Sequence, residues 1–124
     1  MAPGERPWPF HFHHVNEELF YVLSGRGELR TPGGVLELEP GDAVCCAPGP
    51  GGAHALRGGA QGTFEYLAIS TLKEPEVSEY PDSGKICVMV GAAPGADSAA
   101  RRVDATFRLR DAVSYLEGED RATP

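Results

Sequence analysis

Residues 11–25, His-Phe-His-His-Val-Asn-Glu-Glu-Leu-Phe-Tyr-Val-Leu-Ser-Gly, join a cluster of histidines to the most strand-like run of the chain. This stretch holds three of the four histidines in the sequence. Residues 18–23 are mostly aromatic and aliphatic, a composition typical of a β-strand. The Ser-Gly-Arg-Gly sequence at 24–27 favours a turn after that strand. We therefore predict two neighbouring extended segments that are joined by a short turn at residues 15–17.

The two segments present polar side chains in a pattern that suits metal binding. Side chains alternate across a strand, so His11 and His13 share one face and His14 points to the other. On the second strand, Glu18 begins a face that is otherwise apolar, where a carboxylate is costly unless it is paired or binds a metal. Glu17 lies on the opposite face and is the alternative carboxylate ligand. A solvated basic cluster is the alternative interpretation of the histidines, and the spacing to the glutamate favours ligation.

The rest of the chain predicts a single all-β domain. Short apolar runs alternate with turns rich in proline, glycine and aspartate, as expected for a sandwich or a barrel. Residues 91–102 are predicted as a mobile loop, and Asp111 is predicted to cap one short helix near the C-terminus. Phe20, Val22, Phe64 and Tyr66 are predicted to line the core. The predicted strands are residues 18–23, 28–31, 35–38, 43–46, 53–56, 63–71, 85–90 and 103–110.

Composition excludes several classes of protein. The chain has 124 residues, which suits one domain, and 18 acidic against 11 basic residues give a net charge of −7. Its only basic pair is Arg101-Arg102, which argues against nucleic acid as a partner. No apolar run approaches the roughly 20 residues of a membrane helix, and the N-terminus lacks a signal-peptide pattern. We therefore expect a cytoplasmic protein with no membrane partner.

The three cysteines also favour a reducing compartment. Their number is odd, and Cys45 and Cys46 are adjacent, so they do not suit a disulfide framework. We expect all three to be small buried side chains, with a redox role as the alternative.

The first histidine cluster resembles the first motif of the cupin superfamily. That motif is His-x-His, three or four residues, Glu, six residues and Gly. The sequence has His11-Phe-His13, four residues, Glu18, six residues and Gly25, and it fits throughout. Residues 79–85 and the tail around Tyr115 also resemble those of small single-domain bacterial cupins of the conserved-barrel type.

The second cupin motif is matched with departures. It begins at Gly41, but Ala47 stands where the motif has proline, and Gly49 holds the glycine position. His54 follows after four residues instead of two, and Gly58 stands where the motif often has asparagine. If the two extra residues lie in a loop, His54 still faces the same side as the first-motif histidines. If they lie in the strand, it does not.

The resemblance implies a single cupin domain over residues 1–124, which is a double-stranded β-helix or jelly-roll barrel with at most one short C-terminal helix. The core barrel would span about residues 5–90, and residues 91–124 would form a C-terminal extension. The implied metal ligands are His11, His13, Glu18 and His54. Three imidazoles and a carboxylate suit one divalent transition metal, namely Fe, Mn, Ni, Co, Cu or Zn. His14 would then face away from the metal, either behind the ligands or on the surface.

Two functions are compatible with this resemblance. The first is a metal-dependent enzyme acting on a small polar metabolite, by dioxygenase, isomerase or epimerase, or lyase chemistry. The second is a non-catalytic cupin that binds or senses a metabolite. No side chain stands out as a general base. Arg30 and Arg57 could bind a substrate carboxylate, with ordinary surface arginines as the alternative.

The strand at 18–23 also predicts self-association. Leu19, Tyr21 and Leu23 form a second apolar face that points away from the metal ligands. Such a face needs cover from the opposite sheet or from a second copy of the chain. Since cupins commonly dimerise in this way, the resemblance implies a homodimer.

Overall fold

Short runs of apolar residues between turns produce an all-β fold. The structure is a computed structural model and describes residues 1–119, in which ten strands and three 3₁₀ turns occur and no α-helix does. The strands are β1 Phe12–His13, β2 Glu18–Ser24, β3 Gly27–Thr31, β4 Gly34–Leu38, β5 Ala43–Cys46, β6 Ala55–Gly58, β7 Glu65–Ser70, β8 Glu76–Tyr80, β9 Lys85–Val90 and β10 Val103–Arg108. The 3₁₀ turns are Pro50–Gly52, Ser98–Ala100 and Leu109–Asp111.

The strands pair antiparallel in three sheets, which together form a barrel. Their orders are β1-β8-β9-β10, β5-β2-β7 and β4-β3-β6. Strand β2 is central in its sheet, with Glu18 opposite Cys46 of β5 and Ser70 of β7. Because β2 is paired on both edges, the direction of the Glu18 side chain follows from its place in the pleat.

The core lies between the sheets and is built from alternate residues of the strands. Phe20 and Val22 of β2 are buried, whereas Tyr21 and Leu23 between them are exposed. The predicted core residue Phe64 is completely buried, and Tyr66 packs against the same cluster while partly exposed. The other members of this cluster are Leu29, Leu38, Cys46 and Leu56.

One isolated bridge brings the two histidine-bearing segments together. The backbone N–H of His11 donates to the carbonyl of His54 at 3.1 Å, and the N–H of His54 donates to the carbonyl of His11 at 2.8 Å. Strand β1 follows directly and pairs with β8, with His13 opposite Ser78. Residues 11–13 therefore lie between His54 and Ser78, which are both far away in the sequence.

Glycine at position 25 is required by the turn after β2. Its φ is +75°, in the left-handed region that favours glycine, and a Cβ built there would lie 2.0 Å from the backbone oxygen of Thr63. The glycine of the first motif therefore allows the turn to pass close to the segment that precedes β7.

The structure corrects four expectations. Strand β8 was not predicted, because Glu76-Val-Ser-Glu-Tyr80 contains two glutamates and a serine that disfavour a strand unless they are paired. Strand β6 begins at Ala55 instead of residue 53, since a 3₁₀ turn precedes it. Asp111 does not cap a helix: it ends the last 3₁₀ turn. Residues 120–124 of the predicted C-terminal extension lie outside the described part of the chain.

The fourth correction concerns the cysteines. Cys46 and Cys87 are buried, but Cys45 is exposed. Adjacent residues of a strand point to opposite sides, so only one residue of the Cys45-Cys46 pair can face the core of β5. No disulfide forms among these three thiols.

The described residues contain no helix that is long and apolar enough to span a membrane.

Candidate metal centre

Backbone carbonyls set the orientation of two of the four histidines. His11 Nδ1 lies 2.8 Å from the carbonyl oxygen of Pro9, and His54 Nδ1 lies 2.8 Å from that of Gly52. A carbonyl oxygen can only accept a hydrogen bond, so both Nδ1 atoms must carry the proton and donate. The Nε2 atom is therefore the one that each ring can offer to a metal, as is usual where a second hydrogen bond orients a ligand.

The third histidine is held by strand β8. His13 Nδ1 lies 3.1 Å from Ser78 Oγ and 3.6 Å from a carboxylate oxygen of Glu76. With Nδ1 held on this side, His13 Nε2 points toward Glu18, at 3.5 Å from Glu18 Oε2. His13 is 6% exposed, so its ring lies inside the barrel.

Glu18 is the point on which the imidazoles converge. Its Oε2 atom accepts a hydrogen bond from His54 Nε2 at 2.8 Å. One ligand atom from each of His11, Glu18 and His54 lies within 4.8 Å of the other two. The ring centroids of His11 are 4.7 Å from His54 and 5.0 Å from His13. His13 lies outside that closest group of three and adjoins it through Glu18.

The electrostatics of this cluster suit a cation. Burial by itself would raise the pKa of Glu18, but the imidazoles of His13 and His54 outweigh it and hold the pKa far below its usual range. Burial lowers the pKa of His11, so its Nε2 lone pair is free at neutral pH. Burial acts in the same direction on His54, but contacts with Cys46 and Glu18 raise the pKa of His54 to about 10. A proton on His54 thus balances Glu18, and a bound metal ion would take the place of that proton.

Whether these residues fit a metal can be judged from a buried nitrogen atom that has no hydrogen-bond partner. Among the described residues, His13 Nε2 is the one buried side-chain nitrogen or oxygen atom with no hydrogen-bond partner. Such an atom is destabilising unless something satisfies it. Since it faces a carboxylate and two further imidazoles, a divalent cation is the partner that the donor set suits. The residues present fit the metal that the cupin resemblance implies.

The two extra residues of the second motif lie in a loop. The 3₁₀ turn Pro50–Gly52 takes them up, and His54 follows it next to the barrel interior. The loop passes so close to itself that a Cβ on Gly52 would lie 1.8 Å from the oxygen of Ala47. In addition, the N–H of Gly49 donates to the carbonyl of His13 at 2.7 Å. This loop therefore brings His54 to the first-motif histidines.

The alternative ligands are directed away from this cluster. His14 is exposed, and its Nε2 lies 2.6 Å from Glu79 Oε1 on the outer side. Glu17 is also exposed. The alternation of the strand thus places His14 and Glu17 on the opposite side from the four candidate ligands.

The two arginines considered as substrate ligands lie elsewhere. Arg30 makes a bidentate ion pair with Asp82, at 2.5 and 2.8 Å, and Arg57 lies 3.4 Å from Glu28. Both arginines line a separate cavity of about 350 Å³ beneath the N-terminal segment, which contains none of the four convergent residues. The structure therefore favours the interpretation of Arg30 and Arg57 as ordinary surface arginines that do not bind a substrate.

Sequence reasoning missed three buried polar residues: Glu76 and Ser78 lie beside His13, and Asn16 is bonded to Glu76. The signal available was alternation in residues 76–80, where Glu76 and Ser78 share one face of a strand. That signal is weak, because a glutamate in a short polar run is usually solvated.

Fold and site together define the class of protein: a small antiparallel β-barrel with three histidines and one glutamate on its inner surface. The family model of the cupin domain matches residues 1–70, which is more than half of the chain. The chain belongs to the cupin family.

Two solved structures are similar to this one, each with a TM-score of 0.74. One is a provisionally assigned sugar phosphate isomerase from Acidithiobacillus ferrooxidans ATCC 23270, at 25% identity over 92% of this chain and 66% of that one. The other is a sugar phosphate isomerase from a cupin superfamily, from Silicibacter pomeroyi DSS-3, at 19% identity over 94% of this chain and 68% of that one. The second shows the fold alone. The chain thus spans just under two thirds of the first neighbour.

A curated relative matches a shorter region. Defensin-A1 of Ornithorhynchus anatinus is 39% identical over 59 residues, which are 47% of this chain and 60% of that protein. The chain spans less than two thirds of that protein, and the family assignment rests on the cupin match.

Proposed function

We propose that this protein is a metal-dependent cupin enzyme that isomerises a small polar metabolite, with a sugar phosphate as the first substrate class to test. The observation that carries the metal site is the unsatisfied, buried His13 Nε2 beside Glu18. Isomerisation is preferred over dioxygenase or lyase chemistry because the neighbour at 25% identity is assigned as a sugar phosphate isomerase.

In this proposal His11, His13, Glu18 and His54 hold one divalent ion of Fe, Mn, Ni, Co, Cu or Zn. A bound ion of this kind acts as a Lewis acid that polarises a carbonyl or hydroxyl oxygen of the substrate. Four protein ligands would leave one or two positions open in a five- or six-coordinate site. The chain itself supplies the orientation of the imidazoles through Pro9, Gly52 and Ser78, and an apolar wall at Phe20, whose ring lies 5.4 Å from that of His54.

A non-catalytic metabolite-binding cupin is the second candidate, and one observation favours it. In the described part of the chain, both carboxylates beside the imidazoles are already engaged. Glu18 accepts from His54, and Glu76 is fully buried among backbone donors. A proton transfer between two carbons of a sugar needs a base, and neither carboxylate is free to act as one.

Metal loading followed by turnover distinguishes these candidates. The untagged protein is expected to retain about one equivalent of Zn²⁺ or Co²⁺ after dialysis, measured by plasma mass spectrometry. Azide is expected to change the visible spectrum of the Co²⁺ form, because an open coordination position admits a small anion. Aldose and ketose phosphates are then followed by NMR with and without O₂. Interconversion supports the isomerase, whereas an open site without turnover supports the binding protein. No retained metal would overturn the metal-dependent enzyme.

We further propose a homodimer formed through the outer face of the β5-β2-β7 sheet. Tyr21, Leu23, Leu67 and Ile69 are 40%, 49%, 47% and 54% exposed there. Tyr21 lies directly opposite Leu67 on neighbouring strands, so these side chains form one continuous surface. Contiguous apolar patches of this kind are typical of interaction sites.

Light scattering checks the dimer. We expect a mass of twice the 13.2-kDa chain at tens of micromolar, and Ile69→Glu is expected to reduce it to that of one chain. Leu36→Glu is the matched control, because Leu36 is also 54% exposed but lies on the β4-β3-β6 sheet. A wild-type monomer, or dissociation by both variants alike, would contradict the proposed face.

The proposal also covers the domain organisation of the chain and its location in the cell. Residues 1–124 form one domain, with a core barrel over about 5–90 and an extension over 91–124. The extension is anchored by β10, which pairs with β9 from Val103 opposite Val90 to Arg108 opposite Lys85. Free cysteines support a cytoplasmic location.

A further inference from the structure

A completely buried carboxylate lies under the turn that joins the first two metal-ligand segments. Glu76 of β8 has no exposed surface. Its Oε1 atom accepts from the backbone N–H groups of His14 at 3.2 Å, Val15 at 3.4 Å and Val77 at 2.9 Å. Its Oε2 atom accepts from the backbone N–H of Asn16 at 3.1 Å and also from the Asn16 side-chain amide.

The donors explain why this charge is tolerated in the interior. A buried carboxylate is strongly destabilising unless hydrogen bonds satisfy its oxygens. Three of its backbone donors are consecutive, at residues 14–16, so the chain wraps around the carboxylate as an anion-binding nest. These residues lie in the four-residue spacer between His13 and Glu18. The four-residue spacer of the first motif therefore forms a turn around the carboxylate of Glu76, which belongs to strand β8 and is distant in the sequence.

Asn16 extends this anchor to the segment between β7 and β8. Its Oδ1 atom accepts from Thr71 Oγ1 at 2.9 Å and from the backbone N–H of Lys73 at 2.8 Å. Its side-chain amide also donates to the carbonyl of Lys73 at 2.8 Å. The turn is thus held both to β8 and to the segment that leads into it.

The carboxylate of Glu76 also lies close to the imidazole ring of His13. Glu76 Oε2 lies 3.6 Å from His13 Nδ1, next to Ser78 Oγ at 3.1 Å from that nitrogen. A negative charge on this side stabilises the tautomer with its proton on Nδ1. That tautomer presents the Nε2 lone pair toward Glu18.

From this arrangement we infer that Glu76 is a positioning residue of the metal centre. It sets the distance and direction of His13 relative to Glu18 and holds the side of the His13 ring that carries Nδ1. This inference rests on the proposed function. Glu76 itself does not touch the metal or the substrate.

Glu76→Gln is the test, because it keeps the shape of the side chain and removes the charge. With Co²⁺ or Zn²⁺ alone as the probe, we expect binding about 10–100-fold weaker than in the wild type, as for other residues that support metal ligands. We also expect the visible absorption bands of the Co²⁺ form to shift, because the direction of one ligand changes. Glu79→Gln is the matched control on the same strand, since Glu79 pairs with the outward-facing His14, and it is expected to bind both metals as the wild type does.

A second variant separates positioning from folding. Glu76→Asp keeps the charge with a shorter reach, and it is expected to fold and to restore part of the affinity that Glu76→Gln loses. Circular dichroism of the metal-free proteins reports whether each variant is folded. Affinity and Co²⁺ spectrum equal to wild type in folded Glu76→Gln, or affinity in folded Glu76→Asp no higher than in Glu76→Gln, would overturn the inference alone. Absence of metal binding by the wild type would overturn the proposed function and this inference together.

Discussion

His13→Ala is expected to weaken the binding of Zn²⁺ or Co²⁺ by at least about 100-fold, because it removes an inward-facing ligand atom whose ring is oriented before the metal arrives. The ring is held on one side by Ser78 at 3.1 Å and faces Glu18 on the other at 3.5 Å. Competition titration with a chromophoric chelator measures the loss. Losses of similar size are expected for His11→Ala, His54→Ala and Glu18→Gln.

His14→Ala is the matched control for this series. The two histidines are adjacent, but His14 points outward to Glu79 at 2.6 Å. We expect its removal to change metal affinity by less than about threefold, since a surface ion pair contributes little. The strand register would be wrong by one residue if His14→Ala released the metal and His13→Ala did not. If only His54→Ala had no effect, the site would use three protein ligands.

Phe64→Ala is expected to lower the free energy of unfolding by about 3–5 kcal/mol, the usual range for a phenylalanine lost from a packed core. The side chain has 0% exposure and packs against Tyr66, with ring centroids 5.2 Å apart. It also lies against Gly27 so closely that a Cβ there would be 2.5 Å from the ring. The cavity left by alanine is therefore bounded by backbone on one side, where collapse is difficult.

Urea denaturation of the metal-free protein measures this effect without contribution from ligand binding. Phe107→Ala is the control, because Phe107 is 54% exposed on β10 and its truncation is expected to change stability by about 0.5 kcal/mol or less. Equal losses in the two variants would show that Phe64 does not belong to a tightly packed core.

Much of the fold and part of the site could be predicted from local patterns. The alternation of residues 18–23 placed Phe20 and Val22 inside and Tyr21 and Leu23 outside, and their exposure agrees. The same alternation separated His13 from His14, since neighbouring side chains of a strand must point to opposite sides. Turn residues such as Gly25 marked strand ends, because few other residues adopt its backbone conformation without strain. These features depend on residues close together in the chain.

Features that depend on distant residues required the tertiary structure. Whether His54 meets His11 depends on where the chain accommodates two extra residues, and the 3₁₀ turn Pro50–Gly52 does so ahead of the strand. The burial of Glu76 could not be read from its polar neighbours, because three of its backbone donors come from residues 14–16, which are 60 to 62 positions away in the sequence. A charged side chain is stable in the interior only when such donors surround it, and that condition is met by folding, not by the order of residues around position 76.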